Sequence, residues 1–327
     1  MKFGVLIGDV AGSVPPAEHL DSLLRQAHAA QRNGFTLLAL GQHVLYGDVR
    51  WLQPIPTLAR LAGELDPTVR LATTVLVAPL YHPVLLAEDL ATLDIVSGGR
   101  LDVGLGMGYR REEFRQLGIE FAHRVSRFEE CVELLRRLWT EAEVTHDGRH
   151  WHLDAAQPHL QPMQRPTPPI WIGANAEVGV RRSARLGDAW PIGPRMPIPE
   201  IADRLHLYDS VRAELGRPPT VHPIRREIMV GTSRADALER FRSMTAVRYA
   251  EYDARERASI PGASPVDTPA IVGTPDDVVG QILALERALP VGPLIVRVQW
   301  PGMTADDVET YLDELGRHVV RPLRQVT

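Results

Sequence analysis

A turn between a predicted strand and a predicted helix carries the residue types that can bind a phosphate. The turn is IGAN, at residues 172–175. The first N–H groups of a helix have no partner inside the helix, and the helix dipole places partial positive charge at that end. These groups make the turn a candidate phosphate site. Asn175 is also a candidate N-cap, and a cap at this position is compatible with such a site.

A second turn, GLGMG at residues 104–108, also lies between a predicted strand and a helix. Glycine-rich turns can approach a dinucleotide closely, but this one lacks the GxGxxG spacing. It also lacks the acidic residue that such sites have about 20 residues further on. A tight strand-to-helix turn, which needs glycine for its backbone conformation, explains the same residues. The spacing alone therefore leaves both interpretations open.

Polar and aromatic side chains follow two other predicted strands. Gln42 and His43 come directly after one strand, and Gln299 and Trp300 end the last one. Because an imidazole titrates near neutral pH, His43 is a candidate proton carrier, although histidines at strand ends are often structural. Trp300 can either form the wall of a substrate pocket or pack against the rim of the fold.

Three histidines, His146, His150 and His152, are close enough in sequence to be considered as metal ligands. No carboxylate or cysteine stands near them with the spacing of zinc ligands. We therefore predict no metal. We interpret this segment as an exposed hairpin, because Asp147-Gly148 is a typical hairpin turn.

Strand and helix signals alternate along the chain and predict how these residues are positioned. Apolar or β-branched runs predict eight strands at residues 3–7, 35–40, 69–77, 101–105, 170–173, 189–192, 227–231 and 294–299. Apolar side chains at helical spacing predict helices at residues 20–31, 57–65, 83–97, 127–139, 177–186, 199–215, 234–254 and 304–320. Eight strand–helix units favour an α/β fold of the (β/α)8 TIM-barrel class over a doubly wound sheet. Ligands then bind at the carboxyl ends of the strands.

We predict a single domain at residues 1–327, because an α/β barrel reaches this length as one unit. Two segments are predicted to be insertions into the barrel, near residues 143–169 and 255–270. The first contains the hairpin described above. The second is a proline-rich stretch that we interpret as a mobile loop.

The composition argues against several classes of protein. Of the 327 residues, 44% are hydrophobic and 24% are charged, and the formal net charge is −5. These are ordinary globular values. Without a block of like charge, the chain is not expected to bind nucleic acid or a membrane surface, and no apolar run is long enough to cross a membrane. A single cysteine, Cys131, fits a cytoplasmic location and is expected to face the core of a helix.

Several motifs in a fixed order give the chain a resemblance to a known family. They are HPV at residues 82–84, ATLD at 91–94, SGGR at 97–100, GLGMG at 104–108, the block containing IGAN at 165–190, and IVGTPDDVV at 271–279. This ordered set resembles the bacterial luciferase-like oxidoreductases, which bind flavin or the deazaflavin F420 in a (β/α)8 barrel. The matching segments are spread over the whole chain.

The resemblance implies which residues contact the ring and side chain of the cofactor. Thr73, Thr74 and Val75, at the end of the third strand, are expected to lie against the isoalloxazine ring. The Thr74–Val75 peptide bond matches a bond that is often cis in the family. Gly106 and Met107 are expected beside the flavin side chain. Some members have an arginine near the position of Met107, where it holds phosphate.

The resemblance also assigns a role to the IGAN turn. Gly173, Ala174 and Asn175 match the segment that binds the cofactor phosphate in the family. Arg181 and Arg182 lie one to two turns further along the helix that follows. We interpret these two arginines as solvated surface residues rather than as ligands.

For catalysis, the resemblance singles out His43. The position of Gln42 is acidic or histidine in the family, and a glutamine cannot transfer protons at neutral pH. His43 is therefore the catalytic candidate. Gln42, Gln299 and Trp300 are candidate residues of the substrate pocket.

Three functions remain open from the sequence. The resemblance favours a flavin-dependent monooxygenase that uses reduced FMN and O2 to oxygenate a small organic substrate. The alternatives are an F420-dependent oxidoreductase, which transfers hydride to or from a small organic substrate, and a non-catalytic flavin-binding partner subunit. No nicotinamide-binding motif is visible, so we expect a separate flavin reductase to supply reduced flavin. Family members are usually homodimers, and the resemblance implies the same here.

Overall fold

A curled sheet of parallel strands, surrounded by helices, is the framework of the protein. The computed structural model describes residues 1–11, 13–259 and 269–326. The strands are β1 (Phe3–Ile7), β2 (Asp9–Ala11), β3 (Leu37–Leu40), β4 (Val49–Trp51), β5 (Arg70–Thr73), β6 (Leu76–Val77), β7 (Leu101–Gly106), β8 (Val144–Asp147), β9 (His152–Ala156), β10 (Ile170–Ile172), β11 (His222–Arg225), β12 (Ile228–Val230), β13 (Ile271–Gly273) and β14 (Val291–Arg297).

The helices cover the outside of this sheet. They are α1 (Pro16–Arg32), α2 (Pro54–Ala62), α3 (Pro83–Val96), α4 (Arg111–Gln116), α5 (Arg124–Thr140), α6 (Glu177–Leu186), α7 (Ile198–Glu214), α8 (Arg234–Ser259), α9 (Pro275–Ala288), α10 (Ala305–Leu315) and α11 (Arg321–Val326). No helix in the described part of the chain is long and apolar enough to span a membrane.

The sheet has the strand order of an α/β barrel. Its order is β10-β7-β5-β3-β1-β14-β11, and the neighbouring strands are parallel. Two parallel bridges close it: Trp171 in β10 pairs with Ala189, and Ile192 pairs with Ile224 in β11. Residues 189–192 thus occupy the sixth of eight strand positions. The predicted α/β barrel is confirmed.

Side chains from successive strands fill the interior of the barrel. A separate buried cluster consists of Leu6, Leu37, Ala39, Ala72, Trp171, Ala189 and Ile295. These residues come from different strands and face the same interior, as the alternation of side chains along a strand requires. The barrel centre is therefore packed. Space for a ligand lies at the end of the barrel where loops extend the strands.

Helix α3 shows how the local sequence sets an element that positions the site. Pro83 occupies its first turn, where the missing N–H costs nothing, and the side chain of His82 accepts a hydrogen bond from the N–H of Val84. Two glycines follow the helix with positive φ angles, Gly98 at 69° and Gly99 at 75°. Glycine adopts this conformation without steric cost, so the chain turns directly into β7.

The predicted position of the seventh strand is wrong. The barrel strand is β11, whereas residues 228–230 form β12 and pair with β13 in a separate two-stranded parallel sheet. Pro223 hides the strand signal of β11, because proline cannot donate a hydrogen bond to a sheet. Helix α9 was also not predicted, although Thr274 and Asp277 form a capping box at its start.

The insertion near residues 143–169 begins with the predicted hairpin. Strands β8 and β9 pair antiparallel, with His146 opposite Leu153 and Asp147 opposite His152. Most of the second predicted insertion, near residues 255–270, lies outside the described residues. Cys131 is fully buried in α5, as expected, and burial raises the pKa of its thiol to about 12.

Candidate active site

A cavity of about 350 Å³ opens at the carboxyl ends of the barrel strands. Leu6 and Ile295, from the packed interior, form part of its floor. The other lining residues are Thr74, Val75, Gly106, Met107, Gly108, Tyr109, Gly173, Ala174, Asn175, Pro191, Ile192, Gly193, Pro194, Pro223 and Arg225. The volume falls in the range of small-molecule and cofactor sites. We name this space the first cavity.

Glycines bring the backbone of β7 close to the end of β5. A Cβ atom on Gly104 would lie 1.9 Å from the carbonyl oxygen of Thr73, and one on Gly106 would lie 2.6 Å from Cγ2 of Val75. A side chain at either position would push the two strands apart. The GLGMG turn is therefore a close-packed strand end, and its backbone forms part of the cavity wall.

The end of β5 contributes a polar atom that lacks a partner. The hydroxyl of Thr73 is engaged with the backbone of Gly104, accepting from its N–H and donating to its carbonyl, each at 2.8 Å. Oγ1 of Thr74 is buried without a hydrogen-bond partner among the described residues, and Thr74 lines the cavity. A buried hydroxyl of this kind favours a ligand that supplies the missing bond. The Thr74–Val75 peptide bond is cis, as the resemblance implied.

The turn between β10 and α6 forms the opposite wall. The N–H of Gly173 donates to the carbonyl of Leu105 at 2.9 Å, and the carbonyl of Ala174 accepts from Nε1 of Trp190 at 2.9 Å. The prediction that Asn175 caps the helix is wrong, because the N-cap is Ala176 and no side chain caps it. The side chain of Asn175 is instead exposed at the cavity, where it can contact a ligand.

Arginine side chains lie behind Met107. Nη1 of Arg182 is 3.5 Å from Sδ of Met107, and its Nε donates to Glu129 at 2.6 Å. Arg182 is buried, so its interpretation as a solvated surface residue is wrong, whereas Arg181 is exposed as predicted. Burial, together with the nearby charges of Arg111 and Arg182, lowers the pKa of Arg124. Arg111, Arg124 and Arg182 therefore lie close to one another on the side of Met107, with Arg182 ion-paired to Glu129.

A second cavity, of about 250 Å³, adjoins the first. Six residues line both: Leu6, Thr74, Val75, Gly108, Tyr109 and Arg225. The second cavity is completed by Gly41, Gln42, His43, Trp51, Val77, Glu113 and Arg297. The two spaces share walls, so ligands in them would be neighbours.

His43 is held by a buried carboxylate. Oε1 of Glu113 is 3.0 Å from Nδ1 of His43, and it also accepts from the N–H of Val44 and from Nη1 of Arg110, each at 3.0 Å. Burial alone would raise the pKa of Glu113, but the hydrogen bond and charge of His43, the N–H of Val44 and the charge of Arg110 together lower it. The ionised carboxylate is an acceptor only, so Nδ1 of His43 carries hydrogen.

Aromatic rings surround the imidazole of His43. The ring centroid of Tyr46 is 4.2 Å away, that of Trp51 is 4.9 Å away and that of Tyr109 is 6.2 Å away. Such rings supply apolar contact area and specific edge-to-face geometry. His43 therefore lies in an environment suited to a flat organic ligand.

Gln42 lines the second cavity, but its amide is used within the protein. Its Oε1 accepts from the N–H of Val77 at 2.9 Å, and its Nε2 donates to Gln53 at 2.9 Å and to the hydroxyl of Tyr81. The side chain thus fixes the loop after β3 against the loop after β5. Its role as a substrate contact stays a prediction.

The structure does not bring Gln299 and Trp300 to the two cavities. Oε1 of Gln299 accepts from Nε2 of Gln26 at 2.8 Å, and its Nε2 donates to the carbonyl of Met303 at 3.3 Å. Trp300 is only 2% exposed and lies beside Tyr249, with ring centroids 6.0 Å apart. Neither residue is among those that line the first or the second cavity. Of the two interpretations of Trp300, packing at the rim agrees with this placement.

Each of the three hairpin histidines has its own hydrogen-bond partner. Nε2 of His146 lies 3.1 Å from Glu130, Nε2 of His150 lies 2.8 Å from the hydroxyl of Ser126, and Nδ1 of His152 lies 2.7 Å from Asp147. Within the described residues, no group of three potential ligands could hold a metal ion.

Several residues of the site could not be assigned from the sequence. Glu113 stands 70 positions from His43, Tyr109 follows the GLGMG turn, and Arg225 and Arg297 end β11 and β14. The position of Arg297 two residues before Gln299 is a signal that could have found it, because side chains alternate along a strand. For Glu113, the available signal is an acidic residue in the first turn of the helix after a barrel strand.

The barrel and its two cavities together indicate what kind of protein this is. A barrel whose strand ends surround two joined cavities, one with close-packed glycines and one with a carboxylate-held histidine, is a TIM-barrel protein with a ligand-binding end. The family model of luciferase-like monooxygenases matches residues 1–291. The chain belongs to this family.

Relatives agree with the family assignment. The chain is 31% identical over 156 residues to the oxygenase component of a flavin-dependent trigonelline monooxygenase from Acinetobacter baylyi, covering 47% of this chain and 43% of that protein. The chain spans about half the length of the first relatives that it matches by sequence.

Solved structures agree as well. Monooxygenase RslO1 from Streptomyces bottropensis has a TM-score of 0.81 at 26% identity, covering 99% of this chain and 100% of that chain. An F420-dependent secondary alcohol dehydrogenase has a TM-score of 0.74 at 17% identity, covering 95% and 97%, and this likeness shows the fold. Proteins similar to this chain thus include a flavin-dependent monooxygenase component and a further monooxygenase, and an F420-dependent dehydrogenase shares the fold.

Proposed function

We propose that the protein is a flavin-dependent monooxygenase that uses reduced FMN and O2 to oxygenate a small organic substrate. The observation that carries this proposal is the pair of joined cavities. The first has close-packed glycines and a buried hydroxyl that has no partner in the described part of the chain, and the second contains a histidine among aromatic rings. A cofactor in the first cavity would share a wall with a substrate in the second.

The first cavity fits the ring of a flavin. The backbone of Gly106 packs closely against Val75, because an added Cβ would lie 2.6 Å from Cγ2 of Val75, and both residues line the cavity. The hydroxyl of Thr74, which no described residue bonds, faces the same space, and a flavin ring carries nitrogen and carbonyl atoms that can form a hydrogen bond with it. Thr74, Val75, Gly106 and Met107 are therefore the proposed ring contacts, with Thr73 behind them fixing Gly104.

The phosphate is proposed to lie near the turn before α6. Ala174 and Asn175 line the cavity at this point, and the N-terminus of α6 offers N–H groups and partial positive charge. The N–H of Gly173 is bonded within the sheet, so Gly173 contributes shape. Arg182 lies beside Met107, near the position at which the resemblance implies a phosphate-binding arginine in some family members, and it is ion-paired with Glu129.

His43 is the proposed proton carrier. When bound, reduced flavin supplies the reaction with O2, and the protein orients the substrate and excludes water. Because Glu113 fixes hydrogen on Nδ1, Nε2 of His43 is the atom that accepts a proton from substrate or returns it. Glu113 acts through its hydrogen bond to Nδ1 of His43, and we therefore assign it as a positioning residue.

We propose that a separate flavin reductase delivers the reduced flavin. The trigonelline relative is named as an oxygenase component, which is consistent with a two-component system. A homodimer and a cytoplasmic location stay predictions.

Labelled oxygen tests the proposed reaction. The protein is supplied with reduced FMN by a flavin reductase and is incubated with small organic substrates under 18O2, and products are analysed by mass spectrometry. We expect a product that gains one 18O atom only when the protein and FMN are both present. A product formed with F420 and without label would support the hydride-transferring alternative.

A further inference from the structure

Arg225 occupies the boundary between the two cavities. It is the last residue of β11 and lines both spaces. Its Nη2 donates to Oε1 of Glu227 at 2.6 Å, and its buried Nε has no acceptor among the described residues. One donor of this guanidinium is therefore left for a ligand.

A second arginine stands on the neighbouring strand and the same face. Arg225 is paired with Ile295 of β14, and Arg297 lies two residues further along, so both side chains point to the same side of the sheet. Arg297 is 2% exposed and lines the second cavity. The guanidinium of Arg297 lies 5.7 Å from the ring centroid of Trp300.

Positive charge is also present directly behind this wall. Arg226 is buried and donates to the carbonyls of Gly193 and Met196 at 2.9 and 2.7 Å. Burial lowers the pKa of Arg226 to about 10, so it remains charged at neutral pH. Hydrogen bonds to carbonyl oxygens satisfy the N–H donors of Arg226, but they do not neutralise its positive charge.

Two described carboxylates border this region, and Oε1 of each accepts hydrogen bonds within the protein, whereas the buried Oε2 of Glu227 has no partner among the described residues. Oε1 of Glu227 accepts from Arg225 and, at 2.9 Å, from the hydroxyl of Tyr249. Glu113, across the second cavity, is bonded to His43, Val44 and Arg110. A buried guanidinium binds carboxylates strongly because the charge-assisted bonds act in a low dielectric. The unpartnered Nε of Arg225 can therefore donate to an anion in the cavity.

We propose that the substrate is a small organic acid whose carboxylate binds Arg225 and Arg297 in the second cavity, with its flat body among His43, Trp51 and Tyr109. The inference rests on the proposed function for turnover, since it names the substrate class of that same site. The arginines fix the acid at one end, and the aromatic rings hold the rest of the molecule beside the shared wall with the first cavity.

Matched pairs of probes test the charge requirement. The protein, with and without FMN, is titrated with benzoate and benzamide, and with nicotinate and nicotinamide, by calorimetry. The members of each pair differ mainly in charge. We expect the acid to bind at least about tenfold more tightly than its amide, the effect of one charge-assisted bond. Equal affinities of acid and amide would overturn the proposal.

Substitutions at Arg225 test whether this residue is responsible for the preference for the acid over the amide. Arg225→Gln alone would leave the buried carboxylate of Glu227 without its ion-pair partner. We therefore use the double variant Arg225→Gln/Glu227→Gln, in which both side chains are neutral and can still form a hydrogen bond to each other. We expect this double variant to lose most of the preference for the acid, and Arg225→Lys to retain part of it. Arg181→Gln, on the exposed face of α6, is the control and should bind both probes as the unmodified protein does. A double variant with an undiminished preference would contradict the assignment.

The same titrations separate a substrate anion from an anionic cofactor. If Arg225 serves the substrate, the double variant should bind FMN within a few-fold of the unmodified protein. If FMN affinity falls while the preference for benzoate remains, Arg225 contacts the cofactor and the proposal fails. Absence of FMN binding by the unmodified protein would contradict the proposed function instead, and the acid preference would still be measurable without flavin.

Discussion

The Glu113 carboxylate determines which nitrogen of His43 carries hydrogen, and this is the most consequential contact at the residue scale. The sequence predicted His43 from its place after a barrel strand, because strand ends of barrels carry chemistry. Glu113 was not predicted, since it lies 70 positions away and meets His43 only after two loops have folded. Residue types and their spacing in the sequence can identify a single candidate residue such as His43. Its hydrogen-bond partner depends on how the loops fold and cannot be identified in that way.

Replacing His43 tests whether it carries protons. His43→Ala should lower product formation by about 10²–10⁴-fold, the usual contribution of general acid–base assistance. FMN affinity should stay within a few-fold, because His43 lines the second cavity and not the first. Steady-state turnover and flavin titration measure the two effects. His152→Ala, on the exposed hairpin, is the control, and normal turnover by His43→Ala would reduce His43 to a packing residue.

Replacing Glu113 tests the positioning role. Glu113→Gln keeps the shape but removes the negative charge, so hydrogen is no longer fixed on Nδ1 of His43. We expect turnover to fall by about 10-fold or more, within the range of acid–base effects, with FMN affinity unchanged. In the double variant with His43→Ala, the Glu113→Gln change should have little further effect, because the two residues act as a unit. Additive losses would show that Glu113 acts independently of His43.

Among the helices and strands, glycine and proline explain why some elements were predicted correctly and others were missed. Helices α3 and α6 were predicted because their stop signals and apolar spacing are local. Strand β11 was missed because Pro223 masks a short strand whose identity depends on pairing with β14 and Ile192. The IGAN turn was predicted as a site element, but its capping detail at Asn175 was wrong because the helix starts one residue later.

Two glycine-to-alanine variants test the close packing of β7. Gly104→Ala would place Cβ 1.9 Å from the Thr73 carbonyl oxygen. We expect a loss of about 1–3 kcal/mol or more in unfolding free energy, together with weaker FMN binding as Thr74 moves. Gly280 lies within α9 and has nothing within 4 Å of an added Cβ, so Gly280→Ala should stabilise by about 0.5–1 kcal/mol. Urea denaturation measures both, and equal stabilities would refute the packing argument.

In the molecule as a whole, the carboxyl ends of the barrel strands surround the cavities, whereas the amino ends contain buried groups that matter for stability. The cavities lie at the carboxyl ends of the strands, whereas His222 begins β11 at the opposite end. The barrel itself was predictable because eight alternating strand and helix signals are a global pattern. The substrate could not be predicted, since the cavity walls come from loops and from arginines that only the folded chain brings together.

His222, at the amino end of strand β11, should make the free energy of unfolding sensitive to acid. Burial, with the charge of Arg212, lowers the pKa of His222 to about 4, although its Nδ1 accepts from the N–H of Trp190. The unfolded chain has a histidine pKa of about 6.5, so it binds more protons than the folded chain between these values. Stability should therefore fall as the pH drops from 6.5 towards 4, by about 3 kcal/mol from this group.

Denaturation at several pH values measures this dependence. His222→Asn keeps a hydrogen-bond acceptor near Trp190 but cannot be protonated, so its stability should fall less steeply over the same pH range. Identical pH dependence in both proteins would assign the acid sensitivity to other groups.

An anaerobic titration determines whether the first cavity binds the reduced flavin of a monooxygenase. The protein is titrated with reduced FMN, reduced riboflavin and reduced F420, and binding is followed by flavin and protein fluorescence. We expect that reduced FMN binds, that riboflavin binds much more weakly because it lacks the phosphate, and that Gly106→Val abolishes FMN binding. Tight binding of F420, with no measurable affinity for FMN in either redox state, would contradict it.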